Sequence, residues 1–453
     1  MKTTAVILAA GQGTRMRSSL PKVLHPLLGT PMILYALNAA YQATRNKPVV
    51  IIGHEAASVR ALIGDQAHLV VQDPQLGTGH AVQQAQALLR GQTDDVLVTT
   101  ADMPLLRPET LSRLIETHQA APRLQTPITM LTLVAEDPRG FGRIVRNPDG
   151  HVVAIVEAAV ASPEQLAIRE LNTSVYCFTA DWLWGALPRI PMSPKGEYYL
   201  TDLVSIATSE NLSVQALTAQ DPDEAIGINT RVHLAEAEAA LRGRINRQWM
   251  LKGVTMIDPQ TTYIEPGVEI GQDTVIWPNT HLQGNTRIGE ACTIGPNSIV
   301  RDTQIGNQCQ IFASVLEKAV MEDEVDVGPY AHLRSGAHLA KGVHMGNFGE
   351  IKNSYLGPGT KMGHFSYIGD ATIGPNVNIG AGTITCNYDG FKKHPTHIGA
   401  GAFIGSDTML VAPLNIGAGA RTGAGAVVTK DVPDNTLAVG IPARAIRKLE
   451  KRD

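Results

Sequence analysis

The sequence holds little cysteine. Its four residues of this type (Cys177, Cys292, Cys309, Cys386) lie far apart with no CxxC pair. Such usage reads as free buried thiols in a reducing cytoplasm rather than a disulfide framework. No run of eighteen apolar residues occurs, so no membrane span is expected. There is no basic excess either. A net charge of -4 argues against a general nucleic-acid surface, though not against a local phosphate site. The start does not read as a signal peptide, because the short apolar stretch of MKTTAVILAAGQG runs straight into a glycine-rich loop, as a first strand would. With 43% hydrophobic and 18% charged residues the balance is globular, and 453 residues suffice for two or more domains.

What the chain does have is a six-residue period. Aliphatic residues recur at Ile264, Ile270, Ile276, Leu282, Ile288, Ile294 and Val300, again at Met321, Val327, Leu333, Leu339, Met345 and Ile351, and again at Ile398, Ile404, Leu410 and Ile416. Glycine often follows directly. Neither a helix (3.6) nor an alternating strand (2) has this period. It is the hexapeptide repeat of a parallel β-helix, whose coils stack to bury an apolar ladder. The solenoid is expected from about Thr255 to Val428, and 27 of the 43 glycines lie after Gly253.

The N-terminal part alternates β-rich runs with longer helical ones. Strands are expected at Ala5–Leu8, Val49–Ile52, Leu69–Val71, Val96–Thr100, Ile128–Val134 and Val152–Val156, and helices at Pro31–Gln42, Gly79–Leu89 and Pro108–His118. This alternation implies an α/β doubly wound, Rossmann-like domain with a mainly parallel sheet. The organisation expected is a domain at 1–229, a helical linker arm at 230–252 and the β-helix domain at 253–453. The arm rests on Arg231–Leu251, rich in Ala, Leu, Glu and Arg and free of Pro. The tail Arg444–Asp453 is expected to form a short helix.

Directly after the first strand comes Leu8-Ala9-Ala10-Gly11-Gln12-Gly13-Thr14-Arg15-Met16, with Pro21-Lys22 shortly beyond. The chain enters a Gly-rich turn at the carboxyl end of the sheet, where α/β folds bind ligands. Glycine lets backbone N–H groups approach phosphate oxygens. Arg15 and Lys22 can offset polyphosphate charge. A bare GxG is weak evidence, whereas GxGTRM in this position is specific. The stretch is similar to the signature of nucleoside-diphosphate-sugar pyrophosphorylases. Over residues 4–445 the chain resembles the bacterial family of bifunctional N-acetylglucosamine-1-phosphate uridylyltransferases / glucosamine-1-phosphate acetyltransferases.

The resemblance implies roles for residues in the first domain. Leu8, Ala9, Ala10, Gly11, Gln72, Gly77 and Thr78 match uridine-binding positions, with Arg15, Lys22 and Thr100 beside them in the UTP and UDP-sugar site. Gly142, Glu157 and Asn172 match sugar-binding positions. Asp102 and Asn229 match ligands of Mg²⁺, a hard ion that wants oxygen donors and bridges phosphate oxygens. The sugar phosphate would attack the α-phosphate of UTP and expel pyrophosphate, by positioning and electrostatics without a protein nucleophile. One departure stands out. The family usually has Gly before the metal-binding Asp; here Ala101 adds a methyl, which bears on the contacts of residues 100 and 101.

In the repeats, ionisable and amide side chains concentrate between Arg334 and Tyr388, and the period breaks after Ile379, with Thr385–Thr396 (TCNYDGFKKHPT) as an insertion. Long loops on a regular scaffold tend to be functional. By the resemblance, His364 is the general base, a task imidazole suits near neutral pH. Arg334, Lys352, Tyr367 and Asn378 match glucosamine-1-phosphate-binding positions. Ala381, Asn387, Tyr388, Ser406 and Ala424 match acetyl-CoA-binding positions. Near the end, where the family often has an Arg on CoA, Ile441 is the ungapped match rather than Arg444. The solenoid is expected to be left-handed, as in hexapeptide acyltransferases, with active sites between the subunits of a homotrimer.

The implied enzyme acetylates glucosamine-1-phosphate from acetyl-CoA, then couples N-acetylglucosamine-1-phosphate to UTP, giving UDP-N-acetylglucosamine in the cytoplasm. Its partners are these small molecules, with no nucleic acid and no membrane. Two alternatives are a monofunctional sugar-nucleotide pyrophosphorylase with a structural or regulatory β-helix, and a non-catalytic scaffold. Lys352, His364, Tyr367 and Asn378 together with the insertion weigh against the first, and an intact GxGTRM against the second.

Overall fold

A computed structural model describes residues 1–11, 13–53, 57–158 and 160–448. Its contacts divide the chain into two units, Met1–Ala240 and Leu241–Asp453. The division falls inside one long helix, Arg231–Leu251. No helix among the described residues is long and apolar enough to cross a membrane.

The first unit is built on a nine-stranded sheet. Its strands are β1 (Thr3–Ala9), β2 (Val49–Ile52), β3 (His68–Val71), β4 (Asp95–Thr100), β5 (Ile128–Val134), β6 (Arg143–Arg146), β7 (Val152–Val156), β8 (Glu170–Thr179) and β9 (Val214–Thr218). The main path runs β9-β5-β8-β4-β1-β2-β3. Strands β1 to β4 are mutually parallel, as expected, whereas β8 runs antiparallel to both β4 and β5. Successive residues of β1 serve opposite faces: Ala5 and Ile7 join one apolar cluster and Val6 the other. Burial on both faces explains the near-continuous Val/Ile runs of β1 and β2. The first cluster is completed by the helices Met32–Thr44 and Pro108–Ala120, the second by Ala180–Ala186 and Asp202–Ser209.

Three strands, β6, β8 and β9, were not among those expected from sequence. In β8 the buried positions include Asn172 and Thr173, so polarity masked the period. The helix expected at Gly79–Leu89 is two short pieces, Thr78–Gln83 and Gln86–Leu89.

The second unit is a parallel β-helix of three sheets with 12, 10 and 9 strands; apart from the last strand of the first sheet, each strand pairs with its counterpart one coil on. This matches the expected hexapeptide solenoid and is consistent with the left-handed form. The periodic aliphatics all point inward: Ile264, Leu282, Val300, Leu333 and Ile351 are fully buried. Each such side chain contributes roughly 1.5–3 kcal/mol of burial. Inward hydroxyls add rungs between coils, as where Thr274 donates to the Gly289 carbonyl at 2.9 Å and Thr360 to that of Gly374 at 3.0 Å.

Coil length is not constant. Ile270 pairs with a residue 18 further on, at Ile288, but Ile305 pairs with Met321, only 16 on, and Ile373 with Ile398, 25 on. The long coil holds the insertion. Thr385 and Thr396 are themselves in strands (Ile384–Cys386 and Thr396–Ile398), so the excursion is 387–395. The C-terminal tail corrects the expected helix. Ala443–Lys448 is a strand, antiparallel to Thr436–Gly440; an edge strand offers unpaired backbone groups that such a hairpin satisfies. Residues 449–453 of that expectation lie outside the described residues.

Candidate functional sites

In the first unit the chain emerges at the carboxyl ends of β1 and β4. Leu8 to Ala10 are half-buried and Gly11 is exposed, while Gln12 lies outside the described residues. Gly13 takes φ +64°, and a side chain there would meet Lys22 Cβ. This close approach brings Lys22 across the loop. Its ammonium donates to Asp102 Oδ2 at 2.6 Å and to Asn229 Oδ1 at 3.2 Å, and Arg15 donates to the same Asn229 oxygen at 3.0 Å. Four of the expected residues therefore meet at one point. Two neutral or anionic oxygens converge on one cationic group, a donor set that fits a hard divalent ion completed by water and phosphate.

Ala101 answers the question its methyl raised. It is fully buried in the apolar cluster under the sheet, with its N–H bonded to the Leu8 carbonyl at 3.0 Å. The methyl thus serves the core. The Thr100 hydroxyl is buried without a hydrogen-bond partner.

Gln72 is buried, and its amide donates to the Gly77 carbonyl at 2.9 Å. Gly77 adopts φ +93° with the Tyr198 backbone against it, where no side chain would fit. The Thr78 hydroxyl accepts from Leu200 N–H at 3.0 Å. In the sugar region, Asn172 N–H donates to the Gly142 carbonyl at 2.8 Å, and Asn172 Oδ1 accepts from the Tyr176 hydroxyl (2.9 Å) and Ser174 N–H (3.1 Å). With that oxygen engaged, the amide NH₂ is the free donor. Burial, reinforced by Asp202 and opposed by Lys195, raises the Glu157 carboxyl above its ordinary range. Burial raises Asp202 likewise.

In the second unit a groove of about 520 Å³ brings together His364, Asn378, Ala381, Ser406 and Ala424. His364, Ala381, Ser406 and Ala424 each follow a corner glycine (Gly363, Gly380, Gly405, Gly423), so they stack in one column along the solenoid. Small side chains above His364 leave a channel suited to a narrow, extended ligand. Phe403, Lys361 and His344 also line it.

The remaining expected residues lie elsewhere. Glu350, Lys352 and Tyr367 sit on the adjoining sheet, where Glu350 pairs with Tyr367 one coil on, and Arg334 is bonded to Glu350 at 2.7 Å. The neighbouring cations Lys393 and Arg334 hold the Lys352 ammonium below its ordinary range. Such clustering of cations is relieved by an anion. Asn387 is buried and donates to Asp370 at 2.5 Å, and Tyr388 is exposed, bonded to the Gly390 carbonyl at 2.7 Å. Neither lines the groove. Ile441 lies at the turn of the terminal hairpin and is 78% exposed.

Residues 5–167 match the family model of the MobA-like NTP transferase domain. Residues 267–302 match the bacterial transferase hexapeptide (six repeats), and 395–430 the hexapeptide repeat of succinyl-transferase. The bifunctional protein GlmU of Heliobacterium modesticaldum is 49% identical over 439 residues, covering 97% of this chain and 95% of that one. That of Trichlorobacter lovleyi is 47% identical over 458 residues, with 100% and 99% covered. The chain belongs to the bifunctional GlmU family. It is a bifunctional transferase, with a nucleotidyltransferase domain followed by a hexapeptide acetyltransferase domain.

Against that family background, several site residues had no signal in the sequence. Gln75 donates to the Ala10 carbonyl at 2.7 Å and so ties the glycine-rich loop to the next crossover. Asp202 and Lys195 act on Glu157 from far along the chain. His344 and Lys361 line the groove because the coil register stacks them, His344 on Lys361 and Lys361 on Asn378.

Proposed function

We propose that residues 253–453 transfer acetyl from acetyl-CoA to glucosamine-1-phosphate, and that residues 1–229 then couple N-acetylglucosamine-1-phosphate to UTP, with 230–252 as the helical link, in the cytoplasm. The observation that carries this reading is the groove uniting His364 with the column Ala381, Ser406 and Ala424. The pantetheine arm would lie along the column. The 2-amino group attacks the thioester carbonyl, a C–N bond forms and the C–S bond breaks. His364 takes the amine proton and the departing thiolate regains it. Arg334 and Lys352 would grip the sugar phosphate, with Tyr367 and Asn378 orienting the ring, while Asn387 and Tyr388, which stand outside this groove, would meet acetyl-CoA across the interface with a second copy.

In the first domain, Leu8 to Gly11, Gln72, Gly77 and Thr78 would hold the uridine, with Thr100 beside it, and Gly142, Glu157 and Asn172 the sugar. Asp102 and Asn229 would hold Mg²⁺, which supplies charge neutralisation at the phosphates when bound. Lys22 and Arg15 add positive charge where the pyrophosphate leaves. A homotrimer fits the exposed aromatic stripe beside His364. Tyr330, Phe348 and Phe365 are 64%, 60% and 55% exposed, and the first two stack at 5.3 Å.

His364→Ala should abolish thiol release from acetyl-CoA while leaving pyrophosphate release from UTP and N-acetylglucosamine-1-phosphate intact. Asp102→Ala should do the reverse. Joint loss of both activities in a folded variant refutes the two-site reading. Phe348→Asp should convert the assembly to smaller species in sedimentation and cost acetyl transfer only; an unchanged trimer would remove the stripe from the argument.

A further inference from the structure

Gly363 differs from the other corner glycines. At Gly346 a side-chain carbon would strike the Gly363 carbonyl. At Gly380 it would lie 2.6 Å from Ser406 N, at Gly405 2.7 Å from the Thr422 carbonyl and at Gly423 2.7 Å from Val439 Cγ1. Coil stacking therefore demands glycine at these four. At Gly363 the nearest atom beyond its chain neighbours is 3.8 Å away, and it is His344 Nε2. Stacking does not explain the missing side chain at this position, and the bare Cα leaves space in the groove beside His364.

His344 is held in place from below. It pairs with Asp326 in the preceding coil and with Lys361 in the next. Its Nδ1 donates to Asp326 Oδ1 at 2.5 Å. That bond fixes the ring with Nε2 toward the coil that carries Gly363 and His364. Both His344 and Asp326 are nearly half exposed, and His344 lines the groove.

The column gives the groove a direction. An extended thioester lying over Ala424, Ser406 and Ala381 brings its sulfur to His364, and only the acyl group remains to be placed. The next space is that over Gly363, ending at His344. We propose that the acyl group of the donor seats over Gly363 and that His344, braced by Asp326, is the wall that limits acyl length. This rests on the acetyl-transfer reading. A methyl fits beside the bare Cα, whereas each further carbon is driven toward the imidazole.

The test compares kcat/KM for acetyl-CoA and propionyl-CoA with glucosamine-1-phosphate, with uridylyl transfer in the same preparations reporting that the chain is folded. His344→Ala should raise the propionyl-to-acetyl ratio by on the order of tenfold, the low end of what one methylene costs in a closed pocket. His344→Leu keeps the wall and should keep the ratio near wild type. Gly363→Ala, which meets no atom closer than 3.8 Å beyond its chain neighbours, should fold normally and lose on the order of tenfold in acetyl transfer. An unchanged ratio in His344→Ala, or an equal loss with both donors, overturns the proposal. Absence of any thiol release by the wild-type chain overturns the acetyl-transfer reading instead.

Discussion

Lys22→Met separates two consequences of one ion pair. The ammonium lies 2.6 Å from Asp102 Oδ2, with side-chain exposures of 11% and 23%, and also holds Asn229 Oδ1 at 3.2 Å. In turnover it should transfer to phosphate. A hydrogen bond to a charged group is worth about 1.5–3 kcal/mol, so uridylyl kcat/KM should fall about 10- to 150-fold. Metal binding by the free protein should move the other way. A cation beside the two oxygens meets the ammonium as a like charge; at an effective dielectric near 20, unit charges about 4 Å apart interact by roughly 4 kcal/mol. Solvent at this partly exposed site leaves about 1–2 kcal/mol of that, so Mn²⁺ should bind roughly 5- to 30-fold tighter in the variant. Calorimetric titration of the nucleotide-free protein with Mn²⁺ measures the second effect, and pyrophosphate release the first. If Lys22→Met binds Mn²⁺ no tighter than wild type, Asp102 and Asn229 are not the metal's oxygens and the reasoning fails.

Two other perturbations follow from the geometry. Glu157 has a folded pKa raised by burial above its ordinary 4.5, so its protonated form is favoured in the fold and stability falls as pH rises between the ordinary and the raised value. Glu157→Gln should flatten that fall in Tm-against-pH curves, gain stability at neutral pH, lose none at pH 4, and weaken sugar-phosphate binding; an unchanged pH slope would count against burial as the cause. Gly380→Ala places a carbon 2.6 Å from Ser406 N and should cost about 1–3 kcal/mol by overpacking, in contrast to Gly363→Ala, as read by thermal melting of the two variants side by side.

The solenoid was legible because its signal is repetition. Every rung that keeps the six-residue spacing buries its aliphatic residue. The sequence hid the stretch from Ile305 to Met321, where Ile305, Ile311, Leu316 and Met321 stay on the ladder at spacings of five and six. A corner that loses one residue breaks the count but not the pairing. In the first unit, strands with aliphatic runs were legible, while β8 was not, since it carries Asn172 and Thr173 into the interior on hydrogen bonds rather than on hydrophobicity. The convergence of Lys22, Asp102 and Asn229 was readable only through motif resemblance, as 207 positions separate Lys22 from Asn229. Glu157's dependence on Asp202 had no local trace at all. The terminal strand was misread because alternating charge and aliphatic residues fit a short helix as well as an edge hairpin.

The tolerance for unequal coils also explains how a second chemistry could be mounted on a scaffold. In a β-helix the height of a residue is set by the strand pairing on its own face, not by the number of residues in the corner before it. The 25-residue coil from Ile373 to Ile398 therefore displaces nothing: Asn378 still pairs with Phe403, and Thr385 with Leu410. His364 below the excursion and Ser406 above it remain in one column, separated by two coils. Excursion 387–395 therefore places Tyr388 and Phe391 in solvent, at 61% and 95% exposure, without disturbing the groove. A different edge, between the 12- and 10-stranded sheets, carries the stacked Tyr330 and Phe348, so exposed aromatics stand at two corners of the solenoid. The geometry of the column is thus held by inward aliphatics, while the exposed aromatics sit on corners outside the ladder.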